Sequence, residues 1–272
     1  MRFLLLLSVS LVLHAAEVKR SPVGKNVFDY NMQSAALGEE RHVSILLPAN
    51  YESSTRRYPV LYLLHGLGDD NTAWTVMTNL SSYAEKMNMI IVMPDAGRSF
   101  YINSVAEPNA KFEDFIVKDL VTWADETFRT IPLRRSRAVA GLSMGGYGAA
   151  LIGTKHYKRY AAIGAFSGVV SLAHNMPGDR FKNLTGASGS PEAADRDVFA
   201  FTEKLPVAEA PLIYIACGGQ DGLVTQNRDW VKLLAEKKIP YEYREVSVKG
   251  HSWDFWDDNI QIFIGMLNRQ WQ

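Results

Sequence analysis

Hydrophobic positions along the chain fall into short unbroken runs at residues 60–64, 89–93, 138–142, 161–166 and 212–216, each followed closely by Gly, Pro or Asp. Runs of this length with little polar alternation suit strands covered on both faces. Between them the period changes. Phe112, Phe115, Ile116, Leu120 and Trp123 recur at helical spacing, as do Trp256, Ile260, Phe263, Ile264 and Leu267 near the end of the chain. Residues 27–32 and 42–47 predict two early strands that pair as a hairpin, with Gly38 in the turn. Strand and helix then alternate without a linker, a repeat or a low-complexity tract, so one α/β domain over 16–272 is expected. Its central sheet is mostly parallel, with helices on both faces and the ligand site at the carboxyl ends of the strands. The exception is 167–210, rich in Gly, Pro, Ser and Asp and weakly periodic, which reads as an insertion over the site.

The first sixteen residues have another pattern: Arg2, an apolar run from Phe3 to Leu13, then Ala15 and Ala16. This predicts a secretory signal over 1–15. The run is too short for the ~20 residues that span a bilayer, so no stable membrane span is expected after its removal. Lys+Arg 29 balance Asp+Glu 29, and loss of Arg2 leaves 28 against 29. Nucleic-acid binding, which depends on a surplus of cations, is excluded on that count. A single Cys in 272 residues can form neither an intramolecular disulfide nor a Cys-rich metal site. An exported chain without disulfides fits a bacterial periplasm or the cell exterior. The tripeptides at 79–81 and 183–185 match the glycosylation pattern, a match frequent by chance.

Chemistry concentrates after the third apolar run, where Gly141-Leu142-Ser143-Met144-Gly145 has the G-x-S-x-G form between a strand and a helix-like segment. In that context Ser143 sits on a sharp turn that projects its hydroxyl from the sheet edge, and glycines on either side permit close backbone approach. The hydroxyl needs a base. Of six histidines, His251 lies in the loop Lys249-Gly250-His251-Ser252-Trp253 before the last helix, and it alone leaves room for an acid between nucleophile and base. Asp221 follows the strand at 212–216 and falls on the same edge as Ser143. Asp229 is its competitor but lies in a helix-like run; Asp254, Asp257 and Asp258 suit the first turn of the final helix. Cys217 reads as a small buried hydrophobe.

An oxyanion hole is expected from the N–H of Met144, after the nucleophile, and from Leu67 in the turn His65-Gly66-Leu67-Gly68. Among the aromatics near these loops, Trp74, Tyr101, Tyr147 and Trp253 are the candidate pocket residues. Trp256 has core spacing and is assigned to packing.

The segments LLHGLGDDNTAW, VMPDAGRSFY, AGLSMGGYGA, CGGQDGLVTQNRDW and GHSWDFW, in this order, resemble secreted esterases of the tributyrin esterase type. These belong to a wider esterase group with S-formylglutathione hydrolases, feruloyl esterases, acetyl xylan esterases and mycolyltransferases. The resemblance runs from about Lys25 to Leu267. It implies the α/β-hydrolase fold, a triad of Ser143, Asp221 and His251, the oxyanion donors Leu67 and Met144, and no metal or cofactor. The implied substrate is a small or polysaccharide-linked ester with a short acyl group, acetyl and feruloyl among them. Acyl transfer to a sugar and a glutathione-thioesterase activity are the alternatives, the second disfavoured by the signal segment.

Overall fold

The computed structural model describes residues 20–85, 88–174 and 181–271. The signal segment, with His14, lies outside the described residues, as do 175–180 of the insertion.

Nine strands form one sheet: β1 (Arg20–Gly24), β2 (Val27–Ser34), β3 (Glu39–Leu46), β4 (Val60–Leu64), β5 (Ile90–Pro94), β6 (Arg137–Leu142), β7 (Ala162–Phe166), β8 (Leu212–Gly218) and β9 (Glu242–Val246). Their order is β1-β2-β3-β5-β4-β6-β7-β8-β9. Strands β1, β2, β3 and β5 pair antiparallel, and from β5 through β9 every pairing is parallel. The expected β2–β3 hairpin is present, and Gly38 turns it at φ 71°. Strand β1 is an addition to the sequence reading. Arg-Ser-Pro-Val-Gly has no apolar alternation, and Pro belongs on an edge strand, which is where β1 lies.

The apolar runs form strands because both faces are covered. Every residue of β4 to β7 is buried. Tyr62, Leu64, Val139 and Ile163 point into one core, which also takes Phe115, Ile116, Leu120, Leu151 and Ile152. Leu61, Leu63, Ala138 and Ala140 point into the other, against Ile260, Phe263, Ile264 and Leu267 of the C-terminal helix (Trp253–Gln270). The segment from Phe112 is less regular than its periodicity suggests. One α-turn leads into a π-helical stretch, Phe115–Leu120, before α-helix resumes at Val121–Thr127. The wider turn lets the consecutive residues Phe115, Ile116 and Val117 all be buried, while Asp119 accepts from Ser34 Oγ (2.7 Å) and the Ala36 N–H (2.8 Å). Among the described residues no helix is long and apolar enough to cross a membrane.

The insertion is tied to the domain by charge. Glu113, 5% exposed, accepts from Lys155 Nζ at 3.0 Å and His156 Nε2 at 2.7 Å, and Lys155 also reaches Asp195 at 2.9 Å. Burial raises the Glu113 pKa, but the His156 hydrogen bond and the Lys155 charge outweigh it and hold the value below the usual carboxylate range. The contribution is therefore complete above the unfolded pKa of about 4.3 and disappears as pH falls through the lower native value. Glu113→Gln is expected to lower stability by about 2–3 kcal/mol at neutral pH, since Lys155 keeps one partner, and to flatten the acid limb. Urea melts from pH 3 to 7 measure both; parallel curves for the two proteins would refute the assignment.

Candidate active site

The turn after β6 places the nucleophile candidate. Ser143 has φ 52° and ψ −112°, and the next residue begins the helix Met144–Lys155. Its N–H donates to Phe166 O (2.8 Å), and its carbonyl accepts from Tyr147 and Val169. The expected close approach is present: a Cβ on Gly145 would lie 2.4 Å from Leu64 O and 2.6 Å from His65 O, both backbone. Four of the six non-glycine residues with positive φ among those described lie in segments that follow the carboxyl ends of strands: Phe100 (54°) and Tyr101 (60°) in the loop after β5, Ser143 directly after β6 and Ser167 (47°) directly after β7. Each costs of order 1–3 kcal/mol, and such strain gathers at functional sites.

Three residues that are far apart in sequence meet here. His251 Nε2 lies 3.0 Å from Ser143 Oγ, and His251 Nδ1 lies 2.8 Å from Asp221 Oδ2. The carboxylate can only accept, so Nδ1 carries the proton and Nε2 is left as acceptor toward the serine. The second carboxylate oxygen takes the Leu223 N–H at 2.8 Å. Asp221 is 3% exposed. Burial raises its pKa, yet the bonds from His251 and Leu223, with the neighbouring Ser167 hydroxyl, together lower it, so it stays ionised. The His251 loop is drawn in by Gly219 N–H to Val246 O (2.8 Å) and Gln220 N–H to Lys249 O (2.9 Å). Gly218 makes room, because a Cβ there would lie 2.3 Å from Lys249 O.

The other candidates sort clearly. Asp229 is exposed within the helix Val224–Glu236. Asp254 is in the first turn of the C-terminal helix and pairs with Lys249 and Ser252. Asp257 instead receives Asn79 N–H, Asn79 Nδ2 and Tyr83 Oη, joining that helix to Leu80–Ala84. Cys217 is buried, and burial pushes its thiol up to about 12, which leaves it inert.

Met144 follows Ser143 at the helix N-terminus, where first-turn N–H groups lack intrahelical partners. At the second position, the Gly66 carbonyl accepts from His65 Nδ1 (2.8 Å) and the Asp69 N–H (3.3 Å). A trans peptide points its carbonyl and amide in opposite directions, so this directs the Leu67 N–H the other way. That N–H has no hydrogen-bond partner among the described residues. His65 is held in turn, since Ala96 N–H donates to its Nε2 (3.0 Å) and Tyr101 Oη donates to its carbonyl (3.0 Å). Burial lowers its pKa, which keeps the ring neutral and Nε2 an acceptor.

Three of the four pocket aromatics stand behind the site. Trp74, Tyr101 and Tyr147 are at most 1% exposed. Their polar atoms are used on Leu64 O, His65 O and Arg196 O respectively. Trp253 is partly exposed. Trp256, assigned to packing, also stands perpendicular to the His251 ring with centroids 4.8 Å apart. Its place five residues after His251, on one side of a helix start, was the available signal.

An acetyl esterase of Caldicellulosiruptor saccharolyticus is 28% identical over 256 residues, covering 86% of this chain and 95% of that protein. An esterase of Mycobacterium tuberculosis is 37% identical over 163 residues, 58% of this chain but 36% of that longer protein. Among solved structures, a ferulic acid esterase superposes with TM-score 0.77 at 24% identity, covering 90% of this chain and 98% of that one. An S-formylglutathione hydrolase from Agrobacterium tumefaciens gives 0.80 at 18% identity, covering 93% and 98%. Both share the α/β-hydrolase fold with this chain. The family model described as "Putative esterase" matches residues 34–266, and the chain thus belongs to this family of enzymes acting on carboxylic ester bonds.

Proposed function

We propose that the chain is a serine carboxylesterase that cleaves short-chain acyl esters through an acyl-enzyme. The observation that carries this reading is the unbroken hydrogen-bonded line Ser143–His251–Asp221, with 3.0 and 2.8 Å separations, at a helix N-terminus. Ser143 Oγ attacks the ester carbonyl carbon as His251 Nε2 takes its proton. Negative charge on the carbonyl oxygen is met by the N–H groups of Met144 and Leu67. The C–O bond then breaks as His251 returns the proton to the leaving alcohol. Water, deprotonated by the same imidazole, attacks the acyl-enzyme; the acyl C–Oγ bond breaks as His251 returns that proton to Ser143 Oγ, and the acid is released. Asp221 stays ionised and stabilises the imidazolium in both halves.

Acetyl and feruloyl esters of plant polysaccharide are the substrates favoured here, supported by relatives named acetyl esterase and xylanase/feruloyl esterase. Export, argued from the N-terminal segment, would bring the enzyme to such polymers. A series of nitrophenyl esters from two to twelve carbons, run beside methyl ferulate and acetylated xylan, tests the claim. Activity should fall beyond about six to eight carbons. A flat profile to twelve carbons would refute the short-acyl assignment, and more new ester than free acid with excess sugar acceptor would make the chain a transferase.

A further inference from the structure

Behind the acid and base sits a pair of side chains that the reaction steps above do not use. We propose that Ser167 and Trp256 are positioning residues, clamped to each other so as to hold the His251 ring in the orientation that catalysis requires. The inference rests on the roles proposed for Ser143, Asp221 and His251.

Ser167 directly follows β7 with φ 47° and no solvent exposure, and its N–H donates to Ala216 O in β8 at 2.7 Å. A glycine would adopt this backbone without strain. Serine accepts the strain and gains a hydroxyl. That hydroxyl accepts from Trp256 Nε1 at 3.2 Å, in a contact buried on both sides. A hydroxyl that accepts one bond still has its own proton to donate. The Asp221 carboxyl and the Cys217 thiol are both neighbours of that hydroxyl, and its presence helps to lower the Asp221 pKa.

The other end of the clamp is the indole. Trp256, 5% exposed, meets the His251 ring at 87°, and it is braced by Trp253 (5.3 Å, 82°), itself against Trp74 (5.4 Å, 86°). Trp74 Nε1 is bonded to Leu64 O, at the strand end that leads into the Gly66–Leu67 turn. A continuous aromatic wall therefore runs from that turn to the imidazole. His251 has a side chain 38% exposed and lies in a loop, so its own backbone does not fix the ring. The wall on one side and the carboxylate on the other do, and Ser167 fixes the indole at the end of the wall.

Ser167→Gly removes the hydroxyl and relieves the strained φ; Trp256→Phe keeps a ring near His251 and removes the Nε1 donor. Each is expected to lower kcat on nitrophenyl acetate by about tenfold to a hundredfold, as the indole that backs the imidazole loses its anchor, with KM within about twofold. Because the two act as one unit, the double variant should be little worse than either single one. The His251 Nδ1 proton resonance should shift or broaden in Ser167→Gly while the melting temperature is kept or raised. Unchanged kcat in Ser167→Gly, or losses that multiply in the double variant, would overturn the proposal. Ser143→Ala run alongside separates the two levels: if it retains turnover, the triad reading itself fails, and if it is inactive while Ser167→Gly is normal, only the clamp fails.

Discussion

Ser143→Ala should reduce ester turnover by about 10⁴ to 10⁶-fold and leave the fold intact. The two halves of this expectation have separate physical grounds. Everything that holds the elbow in place is main chain: the Ser143 N–H on Phe166 O, its carbonyl under the Tyr147 and Val169 N–H groups, and the Gly145 backbone against Leu64 and His65. Alanine at φ 52° suffers the same strain that serine already bears, so little is added. The hydroxyl itself makes the bond to His251 Nε2 at 3.0 Å. Its loss removes the attacking atom and leaves residual catalysis to the N–H groups and binding alone. Initial rates with nitrophenyl acetate, read beside a thermal melt, test both halves. Turnover near the native rate would remove Ser143 from the mechanism. A melt lowered by more than a few degrees would show that the hydroxyl also supports the fold.

Ser143, Asp221 and His251 were legible in sequence for a local reason. Each follows or faces a strand end marked by glycine, and a strand buried on both faces is an unbroken apolar run. Topology then does the rest, since parallel strands bring their carboxyl ends to one edge. The side-chain neighbourhood is different, because periodicity says that a residue is inside and not what it touches. Tyr101 and Tyr147 look like pocket residues by composition, yet their hydroxyls hold His65 O and Arg196 O from behind. Trp256 has core spacing and is buried as expected, while one edge of the same indole meets the imidazole. Strand β1 was hidden because an edge strand with Pro and Gly needs neither apolar alternation nor high strand propensity. The π-helical stretch at Phe115–Leu120 was hidden because its apolar residues also satisfy an α-helical period. The equal numbers of basic and acidic residues argue, as a sequence expectation, against a nucleic-acid partner.

Asp221→Asn should lower kcat by about 10⁴-fold at neutral pH, with KM little changed. The carboxylate fills two acceptor duties at once, taking the Leu223 N–H on Oδ1 at 2.8 Å and the His251 Nδ1–H on Oδ2 at 2.8 Å. An amide has one acceptor and one donor end, so it cannot satisfy both. If the amide oxygen keeps Leu223, its NH₂ faces Nδ1, which must then become the acceptor. The proton moves to Nε2, where it points at Ser143 Oγ, and the base is lost. If the oxygen turns to His251, the NH₂ group meets the Leu223 N–H in a 3%-exposed site and a donor is left unpaired, at a cost of about 1–3 kcal/mol. The first arrangement costs rate and the second costs stability, and neither leaves a charge to hold the imidazolium. Ring nitrogen NMR of His251 distinguishes them directly, since the protonated nitrogen changes only in the first. A variant with native kcat and Nδ1 still protonated would show that the charge of Asp221 is not needed, and the assignment of the acid would fall.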